Sequence, residues 1–280
     1  MTEYRTMTET DLGAALALCR ATGWNQVESD WLAFLQLRPG GSCVATVLDE
    51  VVGTVTTISY AEKIAWIGMV LVDARWQRQG IGKRLLEEAL QLLRDVETVK
   101  LDATPAGREV YLKLGFKDEY GLSRMIGQPL PESAGLPIAA SITRADLQAV
   151  AGLDAKAFGV NRQPLLQWLY ESNAAASFAV WSGKEISGYC LCRKGYNFFH
   201  VGPVIAQDLE TAKILLHSAS RQASGLPVVL DVPHHNPEWL NWLQVNGYRE
   251  QRQFTRMYRG SNFSPGEPGL QFAIVGPEFG

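Results

Sequence analysis

Trp66-Ile67-Gly68-Met69-Val70-Leu71-Val72, then Asp73-Ala74-Arg75-Trp76, then Gln77-Arg78-Gln79-Gly80-Ile81-Gly82-Lys83-Arg84, sets the architecture of this chain. An apolar run reaches a turn bearing two glycines, and from Lys83 onward Leu85, Leu86, Ala89, Leu90 and Leu93 recur at helical spacing. Strand, turn and helix N-terminus therefore meet at Gly80 and Gly82. The first turn of a helix has backbone N–H groups without intrahelical partners, and the helix dipole adds positive character there. Glycine has no Cβ to keep a phosphate away from that backbone. The junction suits an anion.

Two familiar phosphate loops fail here. A Walker A loop needs glycine where Gln77 stands and Ser or Thr where Arg84 stands. A dinucleotide fingerprint needs a third glycine at Leu85. What remains, Gln-x-x-Gly-x-Gly after a Val/Leu strand, resembles the acyl-CoA pyrophosphate loop of the GNAT superfamily of N-acetyltransferases. The resemblance implies acetyl-CoA as co-substrate, with Gln77, Arg78, Gln79, Gly80, Ile81, Gly82 and Lys83 around its pyrophosphate. It also implies that Val70, Leu71 and Val72 lend their backbone to the pantetheine arm, which can pair like an added strand.

A second stretch, Tyr111-Leu112-Lys113-Leu114-Gly115-Phe116, is similar to the tyrosine and Gly-Phe that follow the fifth strand in that family. The resemblance implies that Tyr111 donates a proton to the departing CoA thiolate. A phenol with a pKa of about 10 can do so without being ionised at neutral pH. In the family the fourth and fifth strands part beside this tyrosine, and a backbone N–H of the fourth serves as oxyanion donor. The chain departs from the family in one place. Many members carry an asparagine before the tyrosine, and here the link is Asp102-Ala103-Thr104-Pro105-Ala106-Gly107-Arg108.

The second half of the chain can be laid over the first. Asp11-Leu12 matches Asp146-Leu147, and the hairpin from Cys43 to Gly53 matches that from Phe178 to Gly188. Leu101-Asp102 then matches Leu230-Asp231, and the segment ending at Gly115-Phe116 matches that ending at Gly247-Tyr248. Two copies of one fold follow, joined by a Pro- and Gly-rich connector. Where the first copy has Gly80 and Gly82, the second has Ala206-Gln207-Asp208-Leu209-Glu210, whose carboxylates compete for the helix N–H groups and repel a pyrophosphate. One cofactor per chain is expected.

At 280 residues, with 46 % apolar and 20 % charged residues, the chain has the composition of a folded protein of one large or two ordinary domains. A net charge of −3 gives no reason to expect a nucleic-acid or membrane partner. No apolar run approaches the length of a transmembrane helix and no signal pattern appears, so a cytoplasmic location is expected. Cys19, Cys43, Cys190 and Cys192 read as buried free thiols, and neither Cys190/Cys192 nor His234-His235 has further ligands at metal spacing. No metal is expected.

The expectation is an α/β (α+β) chain of two tandem GNAT folds, each a mixed, mostly antiparallel twisted sheet flanked by helices. Residues 1–130 form the acetyl-CoA-binding catalytic domain, 131–138 the linker and 139–280 the divergent copy. The expected activity is acetyl transfer to a primary amine of a small molecule or peptide by direct attack, in a monomer or homodimer. A non-catalytic acyl-CoA sensor or scaffold is the alternative, and a nucleotide-binding protein a further rival. Glu28, Asp30, Asp73 and Asp102 are candidates for the general base. Trp24, Trp31, Tyr60 and Trp66 supply aromatic residues in segments that line the acceptor side in that family, and they suit a core just as well.

Overall fold

The computed structural model describes residues 1–132, 135–263 and 266–280. Residues 133 and 134 of the expected linker, and 264 and 265 of the tail, lie outside the described residues. The first half runs β1 (Glu3–Thr6), α1 (Leu12–Ala21), α2 (Glu28–Leu37), β2 (Ser42–Val47), β3 (Glu50–Tyr60), β4 (Ile64–Val72), α3 (Ile81–Leu92), β5 (Thr98–Ala103), α4 (Pro105–Lys113) and β6 (Lys117–Gly127). The second repeats that order with β7 (Ala140–Ser141), α5 (Leu147–Phe158), α6 (Gln163–Ser172), β8 (Phe178–Ser182), β9 (Glu185–Lys194), β10 (Phe199–Ala206), α7 (Leu209–Ser220), β11 (Val228–Pro233), α8 (Pro237–Val245) and β12 (Arg249–Gly260). A short β13 (Gln271–Ala273) closes the chain.

Among the described residues all 13 strands join one sheet in the order β1-β2-β3-β4-β5-β12-β6-β11-β10-β9-β8-β7, with β13 on β10. The last long strand of each half is exchanged. β12 runs antiparallel to β5, β6 antiparallel to β11, and the two pair with each other at the centre. A cut between residues 127 and 140 therefore divides the sequence between β6 and β7 but leaves each half's sheet completed by the other's strand.

The helices cover both faces. On α3, Ile81, Leu85, Leu86 and Ala89 are buried, as their spacing requires, and Arg84 pairs outward with Glu88 at 2.6 Å. That face packs on Ala45, Val55, Ile67 and Leu101. On the opposite face α1, α2, α5 and α6 share one core with Val44, Ile58, Trp66, Leu71, Tyr189 and Phe279. The two halves are thus joined in the core as well as in the sheet.

The tail after β12 ties them again. β13 pairs with β10, Trp239 Nε1 donates to Phe272 O at 2.9 Å, and Ile274 N donates to Asp231 O at 2.9 Å. Residues 275–280 then enter the first half. Phe279 stacks on Phe34 with ring centres 4.6 Å apart, and Tyr60 Oη donates to Phe279 O at 2.6 Å. Gly202 and Gly68 let this segment pass. A Cβ on Gly202 would lie 2.2 Å from Ile274 O, and one on Gly68 2.9 Å from Glu278 Cα.

Candidate active site

The turn between β4 and α3 has the form its sequence demands. Gly80 is the helix N-cap at φ +84°, the left-handed region where glycine carries no Cβ penalty. Arg78 also has positive φ, at +61°, and Gln77 Nε2 steadies the turn by donating to Val72 O at 3.1 Å. Arg84 N donates to Gly80 O at 3.0 Å, closing the first helical turn and leaving the N–H groups of Ile81, Gly82 and Lys83 without intrahelical acceptors. The side chain of Ile81 is itself buried in the core.

Gly82 differs from Gly80, because the nearest atom to a Cβ there would be Val72 Cγ2 at an ordinary 3.5 Å. The fold does not require glycine at that position, and a bound phosphate would. Gly82→Ala is therefore expected to stabilise the chain by about 0.5–1 kcal/mol, since alanine is the better helix former. The same change should weaken CoA binding by roughly tenfold or more, at a cost near 1.4 kcal/mol. Thermal unfolding and calorimetry with CoA read the two effects, and unaltered binding would dismiss the turn as the phosphate site.

Beyond the turn the sheet opens. β4 and β5 pair in parallel only where Ile64–Trp66 meet Thr98–Lys100. Further along β4, a register shift against β3 and a positive φ of +51° at Met69 mark a bulge, fixed by Thr54 Oγ1 donating to Met69 O at 2.8 Å. A cavity of about 620 Å³, including the solvent at its mouth, lies in the gap. Gly68, Met69 and Val70 of β4, Leu101 and Asp102 of β5, and Tyr111 of α4 line one side. Leu71 is a core residue on the far face, while Val70 and Val72 are half-buried towards α3.

Tyr111 packs against Gly107 and edge-on to Phe116 at 6.1 Å. Burial pushes its phenol up to about 12. Among the described residues its hydroxyl has no hydrogen-bond partner, so it faces the cavity as a protonated donor.

The other wall of the cavity comes from distant parts of the chain: Trp24 and Gln26 before α2, Arg124 of β6, Arg252 and Phe254 of β12, and Glu278 of the tail. Two buried ion pairs brace it, each spanning exchanged strands. Arg256 of β12 holds Asp102 of β5 through two hydrogen bonds of 2.8 and 2.9 Å. Arg124 of β6 holds Asp231 of β11 through two of 2.8 Å. Burial raises the Asp102 carboxyl despite Arg256, whereas burial, which alone would lower Arg256, is outweighed there by Asp102, Tyr120 and Glu119 acting together, and Arg256 stays above its ordinary range. Glu278 accepts from Arg193 at 2.7 Å, and Asp30 lies 3.1 Å from the same guanidinium. Burial, with Glu278 adding to it, pushes Asp30 up to about 6 against the pull of Arg193.

The candidates read from sequence are sorted by these positions. Of the carboxylates, only Asp102 reaches the cavity. Asp73 binds Arg75 at 2.9 Å, Glu28 is exposed on the first turn of α2, and Asp30 is a buried ion-pair partner. Of the aromatic residues assigned to the acceptor side, only Trp24 lines the cavity. Trp31, Tyr60 and Trp66 are 0, 4 and 1 % exposed, so of the two roles open to them they take the core, between β4, α2 and α5, and not the acceptor side. Glu278, Arg124 and Arg252 are missed in sequence, because nothing local marks them. The four cysteines are buried and free.

The second copy lacks an open counterpart. Asp208 Oδ1 accepts from Thr211 N at 2.7 Å at the start of α7, so a side chain already occupies that helix terminus. β10 and β11 pair only at Phe199 and His200, as β4 and β5 do, but β13 lies against β10 beyond that point. The chain's own tail fills the gap.

Among the described residues no cluster of metal-binding side chains and no helix long and apolar enough to cross a membrane is present. Fold and cavity define a tandem α/β protein with one strand gap open and its twin closed. The acetyltransferase (GNAT) family matches residues 14–116, and an acetyltransferase (GNAT) domain matches residues 150–273. The holothin acyltransferase of Pseudoalteromonas sp. (strain SANK 73390) is 28 % identical over 264 residues, covering 93 % of this chain and 88 % of that protein. A crystal structure from Pyrococcus horikoshii, classed with the acetyltransferases, aligns over 100 % of this chain and 96 % of its own at a TM-score of 0.84 and 23 % identity. A tandem GNAT protein from the clavulanic acid biosynthesis pathway aligns over 94 % and 100 % at a TM-score of 0.64 and 14 % identity. The chain belongs to the GNAT superfamily, in tandem form with a divergent second copy, and is an acyltransferase.

Proposed function

We propose that this chain transfers acetyl from acetyl-CoA to a primary amine of a small molecule or peptide, by direct attack within the cavity between β4 and β5. The observation that carries this reading is the stretch of β4 beyond Trp66, unpaired with β5 and bulged at Met69, beside half-buried Tyr111, whose hydroxyl has no hydrogen-bond partner among the described residues. The N–H groups of Ile81, Gly82 and Lys83 hold the pyrophosphate, aided by Gln77, Arg78 and Gln79 around the turn. Val70, Leu71 and Val72 offer strand backbone to the pantetheine arm, and an N–H at the bulge stabilises charge developing on the acyl oxygen. Tyr111 protonates the leaving thiolate.

An alkylammonium near pKa 10 must lose a proton before it attacks, for which roughly 4 kcal/mol is needed at pH 7. Glu278 is the base we assign. Asp102 has both oxygens engaged by Arg256, whereas Glu278 is bound to Arg193 through Oε1. Residues 1–130 form the cofactor-binding catalytic domain, 131–138 the connector and 139–280 the divergent copy, which adds Arg252, Phe254 and Glu278 to the far wall of the site. The reading carries with it a cytoplasmic setting, no metal, no nucleic-acid or membrane partner, and a monomer or homodimer.

The test is a screen of amines, amino acids, polyamines and peptides with acetyl-CoA, read as released thiol. Silence across the whole set, with CoA still bound, would leave a sensor or scaffold. Calorimetry should also give one CoA per chain, because β13 closes the second gap; two sites would contradict that account.

A further inference from the structure

The charges around the cavity are not evenly placed. Along the wall built by distant parts of the chain, Glu278 and Asp30 share the single guanidinium of Arg193. On the same wall Arg124 and Arg252 stand directly opposite each other on β6 and β12, and only Arg124 has a carboxylate within salt-bridge distance, Asp231. Among the described residues no carboxylate lies within salt-bridge distance of Arg252. Burial, and then Arg124, lower its affinity for its proton. Like charges directly opposite on neighbouring strands destabilise a sheet, and the one carboxylate that acts on both, Asp231, is bonded to Arg124 and only partly offsets the cost at Arg252.

The repeat makes the anomaly plain. Alternation puts Tyr120, Leu122 and Arg124 of β6 on the same face as Arg252, Phe254 and Arg256 of β12, in the register Arg256 to Tyr120, Phe254 to Leu122 and Arg252 to Arg124. Arg256 and Arg124 are equivalent, each clasping the aspartate of the other half. Beside Arg256 stands Tyr120, whose hydroxyl accepts from Nη1 at 2.6 Å. Beside Arg124 the same position holds Arg252. One copy keeps a neutral acceptor there, and the copy facing the open cavity has a second cation. Gln26, 5 % exposed on the same cavity, has its Oε1 buried without a donor.

We propose that the amine accepting the acyl group also carries a carboxylate, which Arg252 binds with Arg124 beside it, while the amino end faces Glu278 and Gln26. The inference rests on the acyl-transfer reading above and names its substrate class. Guanidinium suits the role because its planar donors match a carboxylate in pairs. A zwitterion would bring each of these two groups, Arg252 and Glu278, the opposite charge.

The experiment compares amino acids of increasing amine-to-carboxylate separation with their methyl esters, using acetyl-CoA, in the wild type, Arg252→Gln and Arg252→Lys. In the wild type the best acid should exceed its ester in kcat/KM by roughly ten- to hundredfold, the range for a hydrogen bond to a charged group. In Arg252→Gln that ratio should fall to within about threefold through KM, and Arg252→Lys should recover part of it. Esters that match their acids in the wild type would overturn the proposal even if the variants fail to fold, as would a ratio unchanged in Arg252→Gln. Calorimetry on the CoA complex reads the same preference without turnover. Acids bound in preference to esters but never acetylated would refute the acyl-transfer reading and keep this subsite, whereas acids and esters bound alike would refute the subsite alone.

Discussion

Tyr111→Phe is expected to lower kcat by about a hundredfold or more while the affinity for acetyl-CoA stays within about twofold. The substitution removes one oxygen and leaves the ring against Gly107 and Phe116, so the fold should be undisturbed. What is lost is a proton donor for a thiolate leaving inside a cavity with few alternatives. Burial pushes this phenol up to about 12, so the hydroxyl remains protonated through the whole range in which the protein can be assayed. The alkaline side of the wild-type pH profile should therefore show no fall from Tyr111 below pH 11 or so. Steady-state kinetics beside CoA calorimetry separates chemistry from binding. A kcat within threefold of the wild type would remove Tyr111 from the mechanism, and parallel losses in kcat and CoA affinity would make it a binding residue instead.

Tyr111 and the Gly80–Gly82 turn are legible in sequence because each is contiguous: a strand, a turn with glycines at fixed offsets and an amphipathic helix, or a tyrosine on a short helix before Gly-Phe. The repeat is legible for the same reason, since both copies keep their local order. The strand exchange is not. β6 and β12 have patterns that would suit either half, and which one each joins is decided by pairings far apart in the chain. The acceptor wall is lost with it, because Arg124 and Arg252 face one another only once the strands have crossed. Glu278 reaches Gly68 through a tail whose sequence offers only a short strand and a few small residues. Asp102 is read as one carboxylate among several, and its fixed place comes from an arginine on the other half's strand. Of the aromatic residues near the site, Trp31, Tyr60 and Trp66 have the composition of a binding surface and the burial of a core, a difference that residue type alone does not encode.

That crossing bears on stability, and Arg256→Met should reveal it. The guanidinium is 3 % exposed and its partner Asp102 fully enclosed, so removing one member leaves a buried carboxylate without its counter-charge. Breaking such a pair costs about 3–5 kcal/mol. For a chain of this size that amounts to a fall in Tm of roughly 10 °C. The double change Asp102→Leu with Arg256→Met should recover most of the loss, since two apolar groups in place of a buried pair are often neutral. The form of the transition carries as much as its midpoint. Because β12 completes the first half's sheet and β6 the second's, and because α2, α5 and α6 share one core, neither half has an independent sheet to retain when the pair is broken. Unfolding should therefore stay a single transition in the wild type and in the variant, with calorimetric and van't Hoff enthalpies in agreement. Two separated transitions would show that the exchanged strands do not couple the copies. A loss below about 1 kcal/mol would place the Arg256–Asp102 pair among interactions whose desolvation cancels their attraction.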